Sequence, residues 1–242
     1  MGGQVWKMVS IKNDMAVLYI VATPIGNLED ITLRAIRTLK EVDLILCEDT
    51  RTTQKLLNFY NIKKPTFAYH QHSKLKKLEY LFSLLKKRKS LALVSEAGTP
   101  GISDPGNKLI SQLIDILGDN ITITCAPGPS ALSTAASISG FPMDKFLFLG
   151  FPPTKRKRKK FFEEVTKSKY SVIFYESPYR IIKTLKDLEL TFKTYSPEPK
   201  IVVCRELTKK FETIYRGKVD EVIKRIEKDK IKGEFVIMIG KK

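Results

Sequence analysis

Short apolar runs alternate along the chain with segments whose apolar residues recur every three or four positions. The runs are AVLYIVA (16–22), DLILCE (43–48), TFAYH (66–70), LALVSE (91–96) and ITITCA (121–126). They are followed by KFLFLG (145–150), YSVIFYE (170–176), KIVVCRE (200–206) and EFVIMIG (234–240). Each has the length of a strand, and unbroken apolar character fits strands covered on both faces. Between them, LRAIRTLKEV and LEYLFSLLKK carry the helical period. The alternation predicts an α/β protein with at least one largely parallel sheet. Nine candidate strands are many for one sheet in 242 residues. The run APGPSALSTAASISGFP (126–142), with a Pro-Gly turn, a small-residue helix and a closing Phe-Pro, separates five of them from four. The expected layout is two α/β domains, 15–128 and 129–242, behind an aperiodic extension over 1–14.

Composition narrows this picture. A hydrophobic fraction of 43% belongs to a folded globular chain. No apolar stretch approaches a membrane span, and MAVLYIVA (15–22) runs into TPIGN without a small-residue cleavage pattern. Neither an anchor nor a signal peptide is expected, and the location is read as cytoplasmic. Cys47, Cys125 and Cys204 are far apart and each ends an apolar run. They read as reduced, buried thiols rather than as metal ligands or disulfides. A formal charge of +17 points to a polyanionic partner such as nucleic acid, although solvated lysines alone would also produce it.

Ligands of open α/β sheets bind beyond the carboxyl ends of the strands. In order, those ends carry TPIGNL (23–28), EDTR (48–51), HQH (70–72), SEAGTPGISDPG (95–106) and PGPSA (127–131). In the second half they carry GFPP (150–153) with KRKRKK (155–160), YESPYR (175–180) and RELTK (205–209). VSEAGTPGISDPG (94–106) packs three glycines and two prolines into thirteen positions, with Glu96 and Asp104 among them. Asn107-Lys108 follows Gly106 where a phosphate loop requires Lys-Ser/Thr, and no G-x-G-x-x-G follows the first strand. Two carboxylates repel polyphosphate and suit a cation or hydroxyl and amine donors. An adenosine joined to an amino acid through a sulfonium, S-adenosylmethionine, fits this chemistry. Equally, the loop is a tight strand-to-helix turn with Asp104 capping a helix that begins at Pro105.

LYIVATPIGNLEDITLRAIRTL, CEDTR, LVSEAGTPGISDPG, APGPSA, FYESPYR and RELTKKFE together resemble the tetrapyrrole methylase superfamily of S-adenosylmethionine-dependent methyltransferases, in order, from Leu18 to Gly240. Within it they are most similar to the branch that methylates a cytidine 2′-hydroxyl in the decoding region of small-subunit ribosomal RNA. Glu96 stands where that branch usually has aspartate. The resemblance implies two α/β domains with a cofactor cleft between them and a homodimer acting on small-subunit rRNA or the small ribosomal subunit. It implies cofactor contacts by Pro24, Gly98, Thr99, Ile102, Asp104, Ser130, Ala131, Tyr175 and Leu207.

A ribose hydroxyl is a weak nucleophile, so an adjacent base would help. Glu48 and Asp49 are the favoured candidates over His70, His72 and Glu96, with Arg51 holding a phosphate or the carboxylates. The alternative for EDTR is a helix cap plus an ion pair. Methyl transfer from a sulfonium needs no metal, and none is expected, although His70 and His72 share one face of an extended strand. RNA contacts are expected from Asn27, Lys155, Arg156, Arg158, Arg180 and Arg205, with Tyr69, Phe151 and Tyr179 available to stack on a base. KRKRKK read alone is also a solvated basic loop. Two other functions share these features: methylation of a small tetrapyrrole, and non-catalytic RNA binding by a ribosome-assembly protein. The EDTR and TPIGN pairing and the hexabasic loop speak against the first, and the intact AGTPGISDPG and PGPSA loops against the second.

Overall fold

The structure, a computed structural model, describes residues 15–70, 75–104, 106–193 and 198–241. They divide into two compact units, each with its own sheet. One holds Thr32–Glu96 with the described parts of Met1–Val21 and Pro105–Pro127; the other holds Ala22–Ile31, Ala97–Asp104 and Gly128–Lys242.

The first sheet contains β1 (Ala16–Val21), β2 (Leu44–Cys47), β3 (Thr66–Ala68), β4 (Ser90–Val94) and β5 (Ile121–Ala126), in the order β3-β2-β4-β1-β5. Every pairing is parallel, with Leu18 opposite both Leu91 and Ile123. All four residues of β2 are buried, as the unbroken apolar run requires. Helices α1 (Leu33–Glu41), α2 (Thr50–Phe59), α3 (Leu75–Lys86) and α4 (Asn107–Leu117) join the strands. Thr32 caps α1 by accepting the Ala35 N–H at 3.1 Å. Leu18, Leu46, Leu81, Leu85, Leu93 and Leu113 share one core cluster with Tyr69. Tyr69 is therefore packed inside the first unit and does not stand ready to stack on a nucleotide. Cys47 and Cys204 are buried, but Cys125 is exposed, contrary to the expectation of three buried thiols. It lies on β5, at the sheet edge, where among the described residues one side of the strand pairs with no other strand.

The second sheet contains β6 (Phe146–Phe148), β7 (Ser171–Glu176), β8 (Ile201–Arg205), β9 (Thr213–Gly217) and β10 (Phe235–Ile239), ordered β6-β7-β10-β8-β9. Only β6 and β7 pair in parallel; β10 runs antiparallel to β7 and β8, and β9 antiparallel to β8. β9 has no counterpart among the nine apolar runs. It is an edge strand, TIYRG, with only Tyr215 buried, so it lacks the signal of a covered strand. Helices α5 (Ala131–Ile138), α6 (Arg158–Lys167), α7 (Ile181–Phe192) and α8 (Val219–Lys228) complete this unit. One face of the sheet packs Val172, Phe174, Val203 and Ile237 against Leu185, Leu188, Val222 and Ile226. The other packs Ile173, Val202, Cys204 and Met238 around Ile25 and Ala135.

Because β7 and β8 both oppose β10, the carboxyl ends of β6, β7 and β8 meet at one edge. Glu176 and Arg205 flank Phe235 there. The loops expected to hold the site thus leave the sheet together.

Ile237 is fully buried in the central strand. Ile237→Ala should cost about 2–5 kcal/mol of stability, visible as a lowered midpoint in urea unfolding.

Candidate functional site

The second unit gathers five strand-end loops around a pair of backbone hydrogen bonds. Thr23 N–H donates to Gly98 O at 2.9 Å, and Gly98 N–H to Thr23 O at 3.0 Å. This exchange joins the TPIGN loop after β1 to the AGTPGISD loop after β4. Thr99 Oγ1 then donates to Pro129 O at 3.1 Å, tying the second loop to PGPSA at the start of α5. Gly98 has φ +84°, and a Cβ there would lie 3.3 Å from Ile25 Cγ2, so backbone freedom and close approach both select glycine.

The RELTK loop closes on the same group. Asn27 N–H donates to Thr208 Oγ1 at 3.1 Å, and a Cβ on Gly26 would fall 2.3 Å from Lys209 Cγ. Glu206 (φ 52°) and Thr208 (φ 66°) both lie in the left-handed region without being glycine. That conformation carries strain, which the surroundings must hold. Lys209 Nζ does so by bridging Glu206 at 2.8 Å and Glu234 at 2.9 Å, while Thr208 N–H donates to Glu212 Oε2 at 2.6 Å. Leu207, between the two strained residues, is buried against Ile25 and Cys204. Burial pushes the Glu206 carboxyl up, but Lys209 and the Glu234 amide outweigh it, leaving the group below the usual range.

At the β7 end, Tyr175 N–H donates to Gly150 O at 2.7 Å, and the Tyr175 ring stands edge-on to Phe148 and Phe151 at 5.0 and 5.5 Å. Burial pushes the Tyr175 hydroxyl up to about 12, against a smaller downward pull from the Leu132 amide, with the Asp104 charge adding to the rise. It stays protonated at neutral pH and keeps a donor. Gly150, at φ +61°, lies under Ser103, whose Oγ would be 3.2 Å from a Cβ there. Pro24, Gly98, Thr99, Ile102, Asp104, Ser130, Ala131, Tyr175 and Leu207 thus all lie in one unit, on loops linked by these contacts.

These loops fit the adenosine, amino acid and sulfonium of S-adenosylmethionine. Residues 23–28, 97–104, 127–134 and 150–153 carry no lysine or arginine, and Asp104 supplies a carboxylate near Tyr175. In these four stretches polyphosphate would meet no cation, and Lys209 of the adjoining RELTK loop is held by Glu206 and Glu234, whereas backbone groups and a carboxylate suit a positively charged ligand. The helix after the loop starts at Asn107 with Gly106 as its N-cap; Pro105 lies outside the described residues.

EDTR leaves the carboxyl edge of the first sheet after β2. Asp49 is the N-cap of α2: Oδ1 accepts the Arg51 N–H at 2.8 Å, and Arg51 Nη2 donates to Oδ2 at 3.0 Å. These bonds hold the Asp49 carboxyl below its ordinary range, chiefly through the Arg51 side chain. The alternative of cap plus ion pair is therefore realised locally, and the Arg51 side chain is 88% exposed. His70 is exposed, and His72 lies outside the described residues. Among the described residues no group of three or more His, Cys, Asp or Glu is arranged to hold a metal.

The basic run splits. Lys155, Arg156 and Lys157 are exposed in the loop, whereas Arg158 opens α6 and turns inward. Arg158 pairs with Asp187 at 2.8 Å, donates to Pro153 O at 3.1 Å and Thr184 Oγ1 at 2.9 Å, and lies over the Phe162 ring. Thr184 Oγ1 in turn donates to Glu176 Oε2 at 2.6 Å. Glu176, 1% exposed, pairs with Arg180 at 2.7 Å, and Arg180 Nη1 donates to Pro152 O at 3.0 Å. Arg205 is buried and donates to Lys232 O at 2.9 Å. Arg158, Arg180 and Arg205, expected at the RNA, are thus engaged within the protein. Residue type and strand-end position could not reveal this, because the partners lie 26–29 residues away for Arg158 and 27 for Arg205. Sequence reading also missed Thr23 and Ser103, whose contacts join loops distant in the chain.

A family model described as tetrapyrrole (corrin/porphyrin) methylases matches residues 17–223. The chain is 44% identical over 229 residues to the ribosomal RNA small subunit methyltransferase I of Thermotoga maritima, covering 94% of this chain and all of that one. It is 46% identical over 224 residues to the protein of the same name from Mycoplasmopsis pulmonis, covering 93% and 97%. Among solved structures, a cobalamin biosynthetic enzyme, cobalt precorrin-4 methyltransferase, superposes with a TM-score of 0.67 at 17% identity, covering 96% of this chain and 98% of that one. Diphthine synthase follows with a TM-score of 0.66 at 11% identity, covering 93% and 90%. The two structures share the fold.

Thr99→Trp should replace the Pro129 tie with a bulky ring and abolish S-adenosylmethionine binding in calorimetry; unchanged affinity would displace the cofactor from these loops. The Glu206 contribution should be present above the ordinary glutamate range and lost as pH falls through its depressed value. Urea unfolding of Glu206→Gln should therefore converge on wild type in acid and fall below it near neutrality. A constant gap at all pH values would exclude the ion pair as its source.

Proposed function

The chain belongs to the tetrapyrrole (corrin/porphyrin) methylase family, and on that premise we propose that it methylates the 2′-hydroxyl of a cytidine in the decoding region of small-subunit ribosomal RNA, using S-adenosylmethionine. The observation that carries the acceptor is the 44% and 46% identity, across nearly the whole chain, to relatives named for small-subunit rRNA, against 17% to the precorrin enzyme. The partner is free rRNA or the small ribosomal subunit, the protein acts as a homodimer, and the compartment is the cytoplasm. Among the described residues no helix is long and apolar enough to cross a membrane.

S-adenosylmethionine, when bound, supplies a methyl group on a positively charged sulfur. Pro24, Gly98, Thr99, Ile102, Asp104, Ser130, Ala131, Tyr175 and Leu207 hold it. Rigid loops suit this task, because alignment of acceptor and methyl supplies much of the acceleration. Asp104 complements the positive charge, and Tyr175 donates its retained proton. Asp49 is committed to the cap of α2, so the acceptor proton goes to Glu48. Arg51 is paired only at the surface, where an ion pair is worth little, so an RNA phosphate competes well with Asp49 for it. Asn27 and the exposed Lys155, Arg156 and Lys157 meet the RNA, while Arg158 and Arg180 fix the loop that leads into the three cations and Arg205 holds the Lys232 carbonyl.

Purified protein, labelled S-adenosylmethionine and small ribosomal subunits from cells lacking this gene should give label on one decoding-region cytidine ribose after digestion of the rRNA. Absence of label, with cofactor binding intact, would move the acceptor to a small tetrapyrrole. Replacing Lys155, Arg156 and Lys157 with alanine should weaken RNA binding and flatten its salt slope by about 0.7 per lost phosphate contact, at unchanged cofactor affinity.

A further inference from the structure

We infer that Phe151 and Tyr179 form a stacking platform for unpaired bases of the RNA substrate, an assignment that rests on the rRNA-directed reading above. Tyr179 is 96% exposed and Phe151 49% exposed. They follow the carboxyl ends of β6 and β7, which are neighbouring parallel strands. Neither position is loose. Arg180, next to Tyr179 in the chain, donates to the carbonyl of Pro152, next to Phe151, at 3.0 Å. The same guanidinium is paired with the buried Glu176 at 2.7 Å, and Arg158 grips the following carbonyl, Pro153 O, at 3.1 Å. Two arginines thus hold the backbone beneath two rings.

The rings also connect to the candidate site. Phe151 stands edge-on to Tyr175 with centroids 5.5 Å apart. A series of aromatic side chains therefore leads from a proposed cofactor contact to the surface. Lys155, Arg156 and Lys157 begin four residues after Phe151 and are exposed. Aromatic faces beside exposed cations are what single-stranded nucleic acid requires: stacking holds the bases and the cations follow the phosphates. Base-paired RNA buries its faces in the helix and has none to offer. The platform therefore selects a substrate whose bases near the target are unstacked and unpaired.

The test uses a short oligoribonucleotide carrying 2-aminopurine, single-stranded or annealed to its complement, with the full-length protein, its Tyr179→Phe, Tyr179→Leu and Phe151→Leu variants, and subunit methylation in parallel. Both side chains are exposed, so each variant should fold, as circular dichroism will verify. Wild type should bind the single strand with quenched fluorescence and prefer it to the duplex. The leucine variants should lose about tenfold in affinity, with the quenching reduced and the salt slope unchanged, while Tyr179→Phe should match wild type. Undiminished affinity and quenching in the leucine variants, alongside active wild-type methylation, would overturn the platform and leave the rRNA reading intact. Equal binding of duplex would likewise overturn it. A changed sedimentation coefficient in the leucine variants with RNA affinity intact would make this face a contact between copies instead. Wild type that neither binds nor methylates rRNA would remove the rRNA reading itself.

Discussion

Two hydrogen bonds between Thr23 and Gly98 hold the arrangement on which the candidate site depends. They form between the backbones of residues 75 positions apart, and they place the loop after β1 beside the loop after β4. Everything else is fastened to that junction. Thr99 reaches the start of α5 from one side of it, and Gly26 and Asn27 reach the RELTK loop from the other. The junction is made of main-chain atoms, with the Thr23 hydroxyl beside the same Gly98 carbonyl. It also favours a residue without a Cβ at position 98, where the positive φ strains any side chain and the Ile25 methyl approaches closely.

A second device works by desolvation. Glu176 is buried at the end of β7 and must be paired, because a lone carboxylate in such a place is costly. Its partners are Thr184 and Arg180, and through Thr184 the chain of contacts continues to Arg158 and Asp187. Both arginines have hydrogen bonds left over, which they give to Pro152 and Pro153. Prolines offer carbonyls but no N–H, and so act only as acceptors. The outcome is a stiff loop at the sheet edge, built from residues that looked like substrate contacts in the linear sequence. The strained RELTK turn is held in the same manner, by Lys209 between two glutamates.

The charge of the chain therefore has two functions. Some cations, Arg158, Arg180, Arg205 and Lys209, are internal fasteners. Others, Lys155, Arg156, Lys157 and Arg51, are exposed. Composition counts both alike. Only a contact partner separates them, and the partner is often a backbone carbonyl, which any residue type provides.

Much of the fold was written in the sequence. Apolar runs identified nine of the ten strands, and TPIGN, AGTPGISDPG, PGPSA and RELTK marked strand-end loops that the structure links to one another. The edge strand β9 escaped because an edge needs few apolar residues. The antiparallel course of β10 escaped because direction is a property of pairing and leaves no periodic trace. Tyr69 and Cys125 changed sides for the same reason: burial depends on which strand lies next door. By itself the sequence determined which segments form strands and which loops are rich in glycine, proline and carboxylate, because these follow from local backbone preference and solvation. Tertiary structure alone decided which arginines face solvent, how the β1 and β4 loops meet, and what stiffens the loop beneath Phe151 and Tyr179. Those are contacts between residues far apart in the chain, and a hydrogen bond to a carbonyl has no sequence signature.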